Sequence, residues 1–507
     1  MRSENSRKNL VVNVGCQLVN ILLGFLCRTV FIRALGNSYL SISSYFSNVL
    51  SILSVAELGF GTAIIFSMYQ PLAQNDRKKI GALMGLYKRA YRVIGLVVAA
   101  AGLAFAPFYR LFMKDPPHVP YLTEIYFLYL FNSVLTYFFS YKQSIIIADQ
   151  KNYICTLYQY GFSITQNVIQ IVILFRTHNF ILYLCTQIIF SFLTNFFLAR
   201  KADRMYPYLK HYETQKLGKT EKDGIFKNIK AMFMHRIGGA VVNGTDALLI
   251  SSFVNVASAG IYSNYFLITS TLNALTSQIF GAITASVGNL GAEEEDWKSY
   301  KIYLAINFAG FWIFGFCAIS LLCLFNPFIR MWLRRDDLMF PTLVVFLIVL
   351  NFFATGMRQA TLTFRNAFGL FWYDRYKAIA EAAINLVASI ILVQKIGIAG
   401  VFLGTLISTM TVDFWVEPLV LFRHGFHRSP VPYFSRYVGY TVLTFAAGAL
   451  TWYCCSLVAG PSLVSFAVKC IICLLVPNLL FFLIFHRTKE FQYIISMIKL
   501  PAFLNRK

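Results

Sequence analysis

Ionisable side chains stand where the surrounding sequence is almost wholly apolar, and those are the residues able to do chemistry. Arg28 interrupts a run from Leu10 to Ile32, and Glu57 lies in Ala56-Glu-Leu-Gly-Phe-Gly-Thr-Ala63. Asp246 ends Asn243-Gly-Thr-Asp246, soon after His235 and Arg236. Arg358 stands mid-run, Glu381 and Asn385 are one helical turn apart, and Asp413 and Glu417 share the next run. A charge in hydrocarbon is costly, so each such group must pair, face a wet cavity or snorkel to an interface. For Arg28 two readings stand: an ion pair that locks one state, or the wall of a cationic cavity. Arg358 has the same two. Lys142 and Arg236 lie nearer the ends of their runs, where snorkelling accounts for them.

These residues are carried by long apolar stretches that recur about fourteen times, each of about 20 residues, the length of a membrane-spanning helix. Composition agrees: 57% hydrophobic, 17% aromatic and 13% charged in 507 residues. The spans expected are 10–32, 40–69, 87–112, 122–147, 153–175, 179–200, 231–253, 260–287, 302–329, 341–365, 376–395, 398–422, 437–458 and 463–485. Little chain remains for a soluble catalytic domain. The net charge of +23 belongs to loop lysines and arginines, which set topology and meet anionic headgroups, so no nucleic-acid partner is expected and membrane lipids are. Basic residues crowd the loops at 77–89, 201–227 and 423–436 and both chain ends. The positive-inside rule then places both termini in the cytoplasm. The ten cysteines all fall inside apolar runs and read as small packing residues, outside any disulfide or zinc spacing.

The halves resemble each other at one offset. Gly24 matches Gly244, Tyr45-Phe46 matches Tyr265-Phe266, and Phe105-Ala-Pro-Phe-Tyr-Arg110 matches Phe325-Asn-Pro-Phe-Ile-Arg330, each 220 residues on. The shift carries span one onto span seven, an even step, so both halves enter from the same side. The fold expected is an all-α polytopic membrane protein with two parallel six-helix lobes related by a pseudo-two-fold along the membrane normal, plus two extra C-terminal helices. The expected divisions are an N-terminal lobe 1–200, a basic cytoplasmic linker 201–230, a second lobe 231–425, extra helices in 426–485, and a cytoplasmic or interfacial tail 486–507. Such lobes suit a rocking transporter with a central cavity.

Motifs of other chemistries are missing. There is no Walker loop, dinucleotide fingerprint or nucleophile–base constellation, so no enzyme is expected. His424 and His427 lie in a basic loop without carboxylate or cysteine, so no metal is expected there. Gly400-x-x-x-Gly404 is a pattern for close helix packing.

The pieces in order carry a family resemblance. Arg33-Ala-Leu-Gly36, Glu57-Leu-Gly-Phe-Gly61 and the polar Gln74-Asn-Asp-Arg77 loop come first. Thr245-Asp246-Ala-Leu-Leu-Ile-Ser251, Ala259-Gly-Ile-Tyr-Ser263, Glu381-Ala-Ala-Ile-Asn385, Gly397-Ile-Ala-Gly400 and Gly404-Thr405 follow. In these the chain resembles the polysaccharide repeat-unit flippases (Wzx-type, O-antigen and capsule exporters), within the superfamily that also holds lipid II flippases and multidrug and toxin extrusion transporters. The resemblance implies alternating access in a bacterial inner membrane, moving an oligosaccharide on an undecaprenyl pyrophosphate carrier from the inner to the outer leaflet. It implies a polysaccharide polymerase and glycosyltransferases as working partners. Under it, Arg28, Arg236 and Arg358 would replace the hydration of the pyrophosphate with charge-assisted hydrogen bonds. Asn48, Asn243, Asn264 and Asn385 would meet sugar hydroxyls. No cofactor is implied beyond a coupling proton or sodium ion, with Glu57, Asp246 or Glu381 as the linked carboxylate. The alternatives are an ion-coupled drug or metabolite exporter of the same superfamily and a membrane-embedded polysaccharide polymerase. Fourteen spans argue against the drug-extrusion branch, and short outer loops argue against the polymerase.

Overall fold

Glycine decides where the first long helix bends. Helix α1 (Arg2–Leu53) is interrupted at Gly36, whose φ of 81° and ψ of −177° belong to a region essentially reserved for glycine. The break separates the first two expected spans without a loop. The computed structural model describes every residue except 1, 55–59, 213–216, 219–243, 294–295, 459, 461 and 505–507. Among the described residues all regular structure is helical.

The remaining helices of the first half are α2 (Phe60–Ala73), α3 (Arg77–Phe105), α4 (Leu122–Ser140), α5 (Gln143–Ala148), α6 (Asn152–Thr177), α7 (Phe180–Met205), α8 (Leu209–Tyr212) and α9 (Gly244–Val254). Then come α10 (Val256–Glu293), α11 (Asp296–Leu333), α12 (Thr342–Met357), α13 (Gln359–Ala367), α14 (Lys377–Ile396), α15 (Ile398–Ser408) and α16 (Phe414–His424). The series closes with α17 (Val431–Ser456), α18 (Leu463–Phe485) and α19 (Lys489–Leu504). Among the described residues nine helices are long and apolar enough to cross a membrane, which makes this a multi-pass membrane protein. Helices α3, α6 and α10, with 29, 26 and 38 residues, also have the length. All fourteen expected spans meet a helix, although residues 55–59 of the second lie outside those described and the seventh is described only from Gly244. Most of the expected linker 201–230 lies outside the described residues.

The chain divides into two compact units, Met1–Ser263 and Asn264–Lys507. In the first, α1 packs on α6, α6 on α7, α7 on α4 and α4 on α3. Lys142, between α4 and α5, has an acidic partner: its ammonium lies 2.6 Å from Asp203 on α7. The sequence could not show that pairing because 61 residues separate the two.

Packing also makes the internal repeat visible. In the first unit the buried Tyr45 donates its hydroxyl to the Tyr109 carbonyl at 2.9 Å. In the second, its counterpart Tyr265 donates to Asn326 Oδ1 at 2.6 Å and stacks edge-on to Phe325. Both tyrosines thus grip the six-residue segment that recurs at the same offset. Asn37 Nδ2 reaches the carbonyl of Ala257, its own repeat mate 220 residues on, at 3.4 Å.

The second unit is organised around α11 and the α14–α15 pair. Gly397, at a φ of 61°, ends α14 and opens α15, so the two spans are joined by one residue. A Cβ at Gly400 would stand 2.2 Å from the Leu392 carbonyl carbon, and one at Gly404 would stand 2.6 Å from the Ser389 nitrogen. Those are backbone atoms and cannot turn aside. Gly404→Ala should therefore cost about 1–3 kcal/mol, read as a lower melting temperature of the detergent-purified protein.

Helices α17 and α18, which have no partner in the repeat, are sealed onto α11 by aromatic rings. Phe311 stacks on Tyr440 with centroids 4.2 Å apart and packs against Phe481 and Phe485. Trp312 donates to Asn478 at 2.7 Å. Helix α19 is held by Arg436, 2.9 Å from Glu490, and by Phe491 stacked on Trp312.

Candidate functional site

The most highly charged interior of the second unit gathers residues from three successive spans. Helix α12 ends at Met357 and α13 begins at Gln359, so Arg358 sits at the junction of the two. Lys377 and Glu381 are one turn apart at the start of α14. Between α15 and α16 the chain makes a π turn, Thr409–Asp413, and Pro418 follows inside α16. Single π turns inside helices are frequent at functional sites. Asp413 closes the turn, and Glu417 lies one helical turn further on.

Arg358 forks onto Glu417, with Nε 2.9 Å from Oε2 and Nη2 2.6 Å from Oε1. Its Nη1 lies 2.7 Å from Asp413 Oδ2. Lys377 pairs with Glu417 and stands 3.2 Å from Asp413 Oδ1. Both carboxylates are 0% exposed. Glu381 is half-buried and close enough to feel the charges of Asp413, Arg358 and Lys377. Three carboxylates therefore face two cations, one negative charge in surplus when all are ionised. Beside this cluster, the buried Arg365 and Asp374 form a second ion pair.

This geometry corrects the expectation for Arg358. It does not line an open cationic pocket: Glu417 and Asp413 neutralise it, and all three are buried. Of its two sequence readings, the ion pair is the one present in this structure. Asn385 is corrected as well. It is fully buried, and its Nδ2 donates to Thr405 Oγ1 at 2.9 Å, tying α14 to α15 rather than meeting a sugar. Asn264 is also 0% exposed and offers no surface to a ligand in this conformation. Asn48 is half-buried and directs Nδ2 to the Ser44 carbonyl of its own helix at 2.7 Å.

Arg28 has a different setting, in the first unit. It is half-buried on α1 and donates from Nη2 to the Ser263 hydroxyl. The phenols of Tyr129 and Tyr183 are near enough to interact with it electrostatically. Tyr129 in turn bonds Ser43 at 2.5 Å. Hydroxyls thus gather around the guanidinium. Ser163 of α6 donates to Asn20 Oδ1 of α1 at 2.9 Å. Asp246 is buried on α9 and interacts with Tyr262 of α10. Glu57, Arg236 and Asn243 lie outside the described residues.

Sequence reasoning named Asp413 and Glu417 as intramembrane charges but did not join them to Arg358. Their spacing of four residues was the available signal, because it puts both on one helical face.

With the geometry in view, comparisons with known proteins bear on the fold. The MatE family model matches residues 14–175. No curated protein matches the chain by sequence. Among solved structures, the lipid II flippase MurJ in an inward closed conformation is similar over 94% of this chain and 99% of its own, with a TM-score of 0.69 and 14% identity. An inward-facing multidrug resistance MATE family transporter of the MOP superfamily is similar over 82% of this chain and 97% of its own, with a TM-score of 0.64 and 13% identity. The Vibrio cholerae MATE transporter VcmN in its bent form is similar over 83% and 96%, with a TM-score of 0.54 and 14% identity. At such identities the likeness is one of fold. The chain has the two-lobed, all-helical membrane fold found in MurJ and the MATE transporters.

Proposed function

We propose that this protein is a flippase. Its cargo would be an undecaprenyl-pyrophosphate-linked oligosaccharide, carried from the inner to the outer leaflet of a bacterial inner membrane by alternating access, for surface polysaccharide synthesis. One observation favours a lipid-linked cargo over a drug or metabolite. The likeness to the lipid II flippase extends over 94% of the chain, while that to the MATE transporters stops at 82–84%. The difference is close to the length of α17 and α18, which are packed into the second unit rather than appended to it. Arg28 is the cation we assign to the pyrophosphate, since its surroundings are hydroxyls that a phosphate oxygen can replace as acceptor. On this reading the protein is a transporter and not an enzyme, with both termini cytoplasmic. Glycosyltransferases supply its cargo and a polymerase consumes it.

Glu381 is the carboxylate we assign to proton coupling. Asp413 and Glu417 are committed to Arg358 and Lys377, and Glu381 is the half-buried member of the surplus. Glu381→Gln should abolish the response of translocation to a pH gradient in proteoliposomes while leaving the protein folded. An unchanged response would remove Glu381 from coupling, and a response to sodium alone would reassign the ion. For the flippase itself, a deletion strain should retain its lipid-linked oligosaccharide on the cytoplasmic face. If exposure of that lipid at the outer face is unchanged, the reading fails. If the strain instead becomes sensitive to cationic dyes, the exporter reading takes its place.

A further inference from the structure

Three cysteines from three helices of the second unit converge on one point. Cys323 of α11, Cys455 of α17 and Cys473 of α18 place their sulfurs within 4.8 Å of one another. Cys455 Sγ and Cys473 Sγ are 3.8 Å apart. All three are buried, at 5%, 5% and 1% exposure. The separation has a simple geometric meaning. Three sulfurs each about 2.3 Å from a central ion stand about 4.0 Å from one another in a trigonal plane. The thiols are therefore spaced almost as an ion would hold them, with only a small inward shift.

The donor set selects the ion. Among the described residues no histidine or carboxylate joins the group, so the fourth ligand of a structural zinc site is missing. Thiolates without nitrogen or oxygen donors favour monovalent copper. Lys469 lies one turn before Cys473 on α18 and interacts electrostatically with both Cys455 and Cys473. It offsets part of the negative charge that thiolates would bring into the interior.

A cavity of about 360 Å³ lies nearby, lined by Met331, Met339, Asn326, Phe466, Arg330 and Lys469. The carbonyl of that same Lys469 lies 4.0 Å from Cys455 Sγ. We propose that Cys323, Cys455 and Cys473 form a three-sulfur site for a monovalent copper ion. Binding forms three copper–sulfur bonds and releases the displaced thiol protons to water, with no change in oxidation state.

The test uses the full-length protein, reduced and anaerobic in detergent, titrated with monovalent copper against bathocuproine disulfonate. The expected result is one ion retained per chain, with affinity falling at least about 100-fold in the Cys323→Ser/Cys455→Ser/Cys473→Ser variant. Cys16→Ser/Cys185→Ser should bind as the unaltered protein does. X-ray absorption of the copper-loaded unaltered protein should show three sulfurs at about 2.3 Å. That measurement decides the matter even if the triple variant fails to fold. Equal retention by the triple variant, a nitrogen or oxygen shell, a Cys455–Cys473 disulfide formed in place of binding, or preference for zinc would each overturn the proposal.

Discussion

Glu417→Ala is expected to lower the unfolding free energy of the detergent-purified protein by about 3–5 kcal/mol. The size follows from what is left behind. Glu417 accepts two hydrogen bonds from Arg358 and pairs with Lys377, all in a buried setting. Removing it takes away the acceptor of both fork hydrogen bonds of Arg358 and the close partner of Lys377, leaving those buried donors unmatched in a site closed to water. Arg358→Met should cost a similar amount for the mirror reason, since Asp413 and Glu417 then share only Lys377. The double variant Arg358→Met/Glu417→Met removes one charge of each sign and keeps Lys377 beside Asp413. It should recover most of the loss, because buried ion pairs replaced by apolar groups of similar volume are commonly neutral or stabilising. Thermal unfolding of the three variants checks this. A single Glu417→Ala variant that melts with the unaltered protein would mean that the cluster is solvated and does not hold α12, α14 and α16 together.

On the proposed flippase function, Arg28→Ala should reduce translocation of lipid-linked oligosaccharide by about 10- to 100-fold, the equivalent of losing charged hydrogen bonds worth about 1.5–3 kcal/mol. Expression and melting temperature should stay close to those of the unaltered protein. The half-buried Arg28 sits among hydroxyls, whose own hydrogen bonds to Ser43 and Gly260 survive its removal. Arg28→Lys should recover little, since an ammonium cannot offer the planar fork that matches a phosphate. The readout is the appearance of the oligosaccharide at the outer face in cells carrying each variant. Full translocation in Arg28→Ala would remove this residue from the cargo path.

The two expectations differ in how far the sequence could carry them. Spans were legible because apolar runs of membrane length leave a direct mark, and the last, 463–485, coincides with α18 residue for residue. The repeat was legible because Tyr45 and Tyr265 each need the same aromatic segment to pack against. Partners were not legible. Arg358 and Glu417 are 59 residues apart, and nothing in a linear pattern states that α13 and α16 face each other. The same blindness turned Arg358 from a locked cation into one of two open readings, and assigned Asn385 to a sugar when it serves a helix contact. It also scattered Cys323, Cys455 and Cys473 as packing residues, although their helices bring them together.

The aromatic seal on α11 carries a consequence for biogenesis. Trp312 receives its acceptor only when Asn478 has been made, 166 residues later. At about 5–20 residues per second, a ribosome needs roughly 8–33 s to cover that stretch. Throughout that delay the newly inserted α11 must shelter its phenylalanines in lipid or behind an insertase, and the second unit becomes whole only once α18 has been made.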